Sequence, residues 1–303
     1  MKHPLRLGSR GSPLALTQAR MVSAALCAAH GWGEDAIEIV PIRTSGDRIQ
    51  DRPLAEVGGK ALWTKELDRA LIDGEIDFAV HSMKDVETIR PPEIAIAAML
   101  PRADVRDRLI GAASLDALPQ GARIGTSSPR RSAQLLRRRP DFRIVLFRGN
   151  VDTRLARLEQ GEAEATLLAA AGLDRLGRSD VGQAIEIETM LPAPAQGAVG
   201  IETLAARDDM RALLAAIDDP QTSECVLAER ALLAALGADC RSPVAALATR
   251  VGSRLWLRAE ILSEDGRECE AGEMWLDAPA DARHLARQLL DRAGPALKAL
   301  FTG

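Results

Sequence analysis

The chain has 303 residues, of which 47% are apolar and 27% charged, with a formal net charge of −4. That length accommodates two or three domains, each with a core of its own, and the composition is that of a soluble globular protein rather than a disordered chain. No apolar run approaches the roughly 18 residues of a membrane span, and a slightly acidic chain has no global field for nucleic acid, so any anion site must be a local concentration of basic groups.

Taken in order, the first half alternates short strand-like runs with helical ones, the grammar of α/β units. Strands are expected at Leu5–Leu7, Ile37–Ile42, Phe78–Val80 and Ile94–Met99. Helical periodicity fits Pro13–Ala29, closed by Gly31, and Thr64–Ile72, closed by Gly74. A second block repeats the pattern, with strands at Arg123–Gly125, Arg143–Phe147 and Ala165–Ala169 and helices near Arg130–Arg138 and Thr153–Gln160. The apolar segment AVGIET after Leu191–Gly197 is able to add a strand to either block. From Thr222, read as a helix cap, the texture changes to a helix ending near Leu236. Alternation in SRLWLRAEIL and an acidic turn then predict a small antiparallel sheet, followed by a helix over Ala280–Leu290. The expected fold class is α/β: two α/β domains around a cleft plus a smaller α+β domain with an antiparallel sheet.

Chemistry concentrates at a few turns. The run DFAVHSMKD is a strand whose far end carries His81, Ser82, Lys84 and Asp85, and ligands of α/β proteins gather at that edge. Gly8–Pro13, Gly125–Arg131 and Arg148–Arg154 each place Gly, Ser or Thr beside arginine where a strand gives way to a helix. Free backbone N–H groups and an arginine fork suit carboxylate or phosphate there. Only five of the 39 basic residues are lysine, and three of these, Lys60, Lys65 and Lys84, fall near the motif-like segments. Gly58-Gly-Lys60 lacks phosphate-loop spacing, no strand runs into a dinucleotide fingerprint, and the four scattered histidines offer no metal-ligand spacing. No metal is expected. Of the four cysteines, expected as free thiols of a cytoplasmic protein without an apolar leader, Cys240 is the best candidate for reactivity. It lies in a turn beside Arg241, whereas Cys27 and Cys225 sit inside helical runs.

LRLGSRGSPLAL, GGKALWTKEL, DFAVHSMKDV, RIGTSSPRR, RGNVDTRL, AAAGLDRLG, LPAPAQGAVGIE and AERALLAAL, followed by the cysteine turn, form an ordered set spanning nearly the whole chain. Together they resemble the porphobilinogen deaminases, or hydroxymethylbilane synthases, transferases of tetrapyrrole biosynthesis. The resemblance implies a first domain of residues 1–100 and 195–219, a second of 101–194 and a third of 220–303, the first two similar to periplasmic binding proteins. It implies head-to-tail joining of four porphobilinogen molecules with loss of ammonia at each addition, and hydrolytic release of 1-hydroxymethylbilane. A dipyrromethane primer is expected on Cys240 through a thioether.

By the same resemblance Asp85 is the catalytic aspartate and Lys84 a neighbour engaging substrate or primer carboxylates. Ser127, Ser128, Arg130 and Arg131 are expected to hold the primer. Arg10, Ser12, Arg148 and Arg154 are expected to handle substrate and the growing oligopyrrole, and Lys60 to belong to a loop over the cleft. The protein is expected to be a monomer, with no membrane or nucleic-acid partner, and to pass its product to uroporphyrinogen-III synthase. Three departures from the family pattern stand out. Glu87 replaces a proline, predicting a looser loop after Asp85; Ala238-Asp239 replaces two glycines before Cys240; Ala61 follows Lys60. The competing expectation is a receptor for a small polyanion, which would leave Cys240 and Asp85 without special work.

Overall fold

The structure is a computed structural model that describes residues 4–44 and 64–301. Within these, the chain forms two compact units, one of 4–44, 64–103 and 197–223, the other of 104–196 and 224–301. The first stretch runs β1 (Leu5–Arg10), α1 (Pro13–His30), β2 (Ile37–Ile42), α2 (Lys65–Ile72), β3 (Phe78–Ser82) and β4 (Ile94–Met99). The middle stretch runs β5 (Asp107–Ile110), β6 (Arg123–Thr126), α3 (Pro129–Arg138), β7 (Arg143–Leu146), α4 (Val151–Glu159), β8 (Ala165–Ala169), α5 (Ala170–Arg175) and β9 (Gln183–Ala184). The last comprises β10 (Val199–Leu204), α6 (Asp208–Leu214), α7 (Pro220–Leu236), β11 (Val244–Val251), β12 (Arg254–Leu262), β13 (Cys269–Leu276), α8 (Ala282–Arg292) and α9 (Pro295–Ala299).

The two large sheets share one plan. The first has strand order β2-β1-β3-β10-β4, the second β7-β6-β8-β5-β9. In each, β1 or β6 lies parallel to both its neighbours, and an antiparallel strand, β10 or β5, follows β3 or β8. That antiparallel strand is in both cases the one formed where the chain returns from the other unit. AVGIET therefore joins the first sheet as β10, pairing with both β3 and β4. The second unit also holds the antiparallel sheet β11-β12-β13.

Strand alternation divides each sheet into two packed faces. On one side of the first, Phe78, Val80 and Leu7 bury against Ala19, Val22 and Leu26 of α1. On the other, Ala79 and Ile76 meet Leu67, Ala70 and Leu71 of α2. Each fully buried Leu, Val or Phe contributes about 1.5–3 kcal/mol relative to exposure. Leu255, Leu257 and Ile261 of β12 pack with Leu285, Ala286 and Leu289 of α8 in a separate core.

Capping fixes where the helices begin. Ser12 and Ser128 each precede a proline at the first helical position, and their side chains accept from the N–H of Ala15 and Arg131. Asn150 caps α4 in the same way through Thr153. Thr222 is not a cap: α7 starts two residues earlier, and the Asp219 carboxylate accepts from the Thr222 N–H at 2.7 Å. A proline at position 220 supplies the helical φ and lacks the N–H that would go unsatisfied there.

Candidate active site

In the first unit, Arg10 is the last residue of β1, and Lys84 and Asp85 close a 3₁₀ turn directly after β3. Because β1 and β3 are parallel neighbours, these groups and the cap residue Ser12 share one sheet edge. Ser82 just before the turn exchanges hydrogen bonds with buried Gln18 of α1, at 2.8 and 3.1 Å, fixing strand to helix at that edge. Lys84 and Asp85 are half-buried. Among the described residues, the Asp85 carboxylate makes neither an ion pair nor a hydrogen bond. Lys60 and Ala61 lie outside the described residues.

The segment leaving Asp85 is not loosened by Glu87. Its carboxylate accepts from Arg90 Nη1 at 2.7 Å and from Thr64 Oγ1 at 2.7 Å. Arg90 also forks onto Glu202 of β10, Nε to Oε1 at 2.8 Å and Nη2 to Oε2 at 2.9 Å, and donates to Asp68 of α2. His81 Nε2 stands 3.1 Å from Glu202. Burial works against a charge on Glu202, but His81 and Arg90 outweigh it and hold its carboxyl down at about 2. The rigidity a proline would supply through φ comes here from side-chain ties.

In the second unit, Ser127 and Ser128 form the turn between β6 and α3, half-buried. Arg130 and Arg131, on the first turn of α3, are buried and turned onto Asp107 at the start of β5. Arg130 Nη2 donates to Asp107 Oδ2 and Arg131 Nη2 to Oδ1, both at 2.7 Å, and Gln196 Nε2 adds a third bond to Oδ1 at 2.9 Å. Arg130 Nη1 and Arg131 Nη1 donate to the carbonyls of Leu191 and Leu167. Each guanidinium keeps a buried Nε with no hydrogen-bond acceptor among the described residues. Burial of Asp107 opposes ionisation, but the two guanidinium groups hold its carboxyl far below the usual range.

Arg148 is buried just past β7, and Arg154 lies on α4. Gly149 between them has φ +105, where a side chain would meet Thr153 at 2.8 Å, and its carbonyl accepts from Arg154 Nε at 3.1 Å. The turn between these two arginines needs glycine at 149.

Cys240 is exposed, whereas Cys225 is buried and Cys27 and Cys269 are intermediate. Asp239 accepts from Arg241 Nε at 3.1 Å and Nη2 at 2.7 Å, so the charges flanking the thiol are paired with each other. Neither Ala238 nor Asp239 has positive φ; the left-handed residue of this turn is Gly237, so replacing the two glycines carries no backbone strain. Cys269 is a different thiol: burial first, then Glu260, push it up to about 11.

The sequence reading passed over Asp107, Arg90 and Glu202. A lone acidic residue at a strand start carries no signal, and only the i, i+3 spacing of Glu87 and Arg90 hinted at a pair.

Two doubly wound sheets with helix-capped turns bearing arginine at their strand ends, and an exposed thiol on a separate turn, place the chain in the α/β class with turns suited to anionic ligands. Residues 5–212 match the family model described as "Porphobilinogen deaminase, dipyromethane cofactor binding domain", and residues 223–293 match "Porphobilinogen deaminase, C-terminal domain". The chain belongs to the porphobilinogen deaminase family. It is 57% identical over 305 residues to a porphobilinogen deaminase of Sphingopyxis alaskensis, covering 99% of this chain and 97% of the relative. Identity to that of Paracoccus denitrificans is 52% over 300 residues, covering 96% and 95%. Among solved structures, the second substrate binding domain of a putative amino acid ABC transporter from Streptococcus pneumoniae aligns at TM-score 0.45 and 12% identity. That alignment covers 70% of this chain and 90% of the other.

Proposed function

We propose that Cys240 carries the dipyrromethane primer through a thioether, that Asp85 is the catalytic carboxylate, and that the arginine turns hold the carboxylates of primer and chain. The reaction is that of the family: four porphobilinogen molecules are joined head to tail with release of ammonia, and 1-hydroxymethylbilane is freed by hydrolysis. The observation that carries the assignment is the exposed Cys240 thiol, on a turn whose neighbouring charges are already paired. A thioether needs an accessible sulfur, and burial makes Cys225 and Cys269 poor alternatives. When bound, the dipyrromethane supplies the pyrrole end to which the first substrate unit is joined.

Asp85 suits its role by position and by having no hydrogen bond or ion pair on its carboxylate among the described residues. Loss of ammonia leaves positive charge on a substrate pyrrole, and a carboxylate not already neutralised by a protein cation offers its full charge to it. Half-burial strengthens that attraction relative to open water. Lys84 beside it supports binding of a substrate carboxylate. Arg10 and Ser12, at the same edge, meet the acetate and propionate arms of porphobilinogen. Arg148 and Arg154, on either side of the Gly149 turn, serve the lengthening chain. Arg130 and Arg131, anchored on Asp107, and the hydroxyls of Ser127 and Ser128 hold the primer. The product would pass to uroporphyrinogen-III synthase, and a monomer working in the cytoplasm fits this role.

The test is intact mass with a peptide map. The purified protein, incubated with porphobilinogen, is expected to show a two-ring pyrrole adduct on the Cys240 peptide, absent from Cys240→Ser. A sequence mass that stays unchanged after incubation would overturn the assignment of Cys240.

A further inference from the structure

We infer that Arg90 and Glu87 are positioning residues for Asp85: one saturated guanidinium fixes the segment that leaves the catalytic turn. The inference rests on the reading of Asp85 as the catalytic carboxylate. Its own carboxylate has no hydrogen bond or ion pair among the described residues, so no side-chain bond sets its place. Its backbone does.

On the N-terminal side that backbone is held by β3, the neighbour of both β1 and β10. On the C-terminal side the turn itself supplies one bond, Val86 N–H to Met83 O at 3.2 Å. Beyond it Glu87 and Arg90 tie the chain to the rest of the unit through their side chains. Glu87 reaches Thr64 beside α2, and Arg90 reaches Glu87, Thr64, Asp68 and Glu202. Nε, Nη1 and Nη2 are all engaged, with Arg90 side-chain exposure at 8% and Glu202 at 0%. The loop is thereby tied to β10 and to the start of α2 through a planar fork with five donors. A lysine ammonium is a point charge with three donors and does not span Glu202, Asp68 and Glu87 together.

Displacing a reacting group by about 1 Å costs up to roughly a hundredfold in rate. A tie so near Asp85 therefore acts on turnover more than on substrate affinity. Val86 already has φ −86 and ψ 131, the extended conformation favoured by a residue preceding proline. A proline at 87 is thus able to replace the side-chain tie by a fixed φ.

The experiment compares parent, Glu87→Ala, Glu87→Pro and Arg90→Lys, each loaded with primer as judged by intact mass, in porphobilinogen consumption. Glu87→Ala and Arg90→Lys are expected to lower kcat about tenfold or more, with KM within about twofold. Glu87→Pro is expected to recover most of what Glu87→Ala loses. A role in stability alone would lower the unfolding midpoint of Glu87→Ala while leaving kcat of the folded, loaded enzyme at the parent value, and would overturn the inference. So would Glu87→Pro no faster than Glu87→Ala. A parent that loads no primer and consumes no porphobilinogen would instead overturn the assigned function.

Discussion

Asp107 Oδ1 accepts the Arg131 Nη2–H at 2.7 Å, with the carboxylate side chain entirely buried and the guanidinium 6% exposed. The other oxygen of the same carboxylate takes Arg130, so one buried anion holds two cations on the first turn of α3. A buried pair of this kind does not by itself signify high stability, but removing one member leaves charge uncompensated in the interior.

Asp107→Asn is accordingly expected to destabilise the protein by about 3–5 kcal/mol, since Arg130 and Arg131 would then face each other without an anion between them. Urea unfolding checks this. A loss below about 1 kcal/mol would mean that the two arginines rearrange toward solvent and that Asp107 does not anchor them.

Glu202 predicts an acid limb of stability. Its folded carboxyl sits at about 2, below the unfolded value near 4.3. A depressed pKa contributes stability fully present above the unfolded value and lost as pH falls toward the folded one. Between about pH 4.3 and pH 2 the unfolding free energy should fall by about 3 kcal/mol through this group, with Asp107 adding to the loss in the same direction. Denaturant titrations at several acidic pH values in parent and Glu202→Gln measure it. Equal slopes in the two proteins would remove Glu202 as the source.

The cysteines should separate by reactivity. Before primer is attached, exposed Cys240 is expected to react first with a small maleimide near pH 8. Cys269, pushed up to about 11, holds less thiolate than an ordinary cysteine by on the order of a hundredfold. Timed alkylation with peptide mapping reads the order directly. Labelling of Cys269 ahead of Cys240 would contradict the burial that raises its pKa.

Much of the first sheet was legible because its strands are short apolar runs bounded by glycine or charge, and the helices carried their caps in sequence. The Ser-Pro pairs at Ser12 and Ser128 announce both a cap and a first helical residue. Thr222 misled because a threonine before an apolar run looks like a cap, while Asp219-Pro220 two residues earlier performs that work. Glu87 misled in a similar way: read along the chain it is a lost proline, and only the folded chain brings Thr64 and Arg90 to it.

By itself the sequence determined the alternation of strands and helices, the glycine and serine turns at their junctions, and the cysteine with an accessible thiol. These depend on local periodicity, on backbone freedom and on capping, all written within a few neighbouring residues. Tertiary structure alone decided that AVGIET lies between β3 and β4, that Arg130 and Arg131 turn inward to Asp107, and that Arg90 gathers three carboxylates beside the turn that carries Asp85. The side-chain partners in those relationships are up to 112 residues apart in the chain. An apolar strand or a guanidinium accepts many partners of the right chemistry, and the choice among them is made only when packing brings one within bonding distance and removes the water that would have served instead.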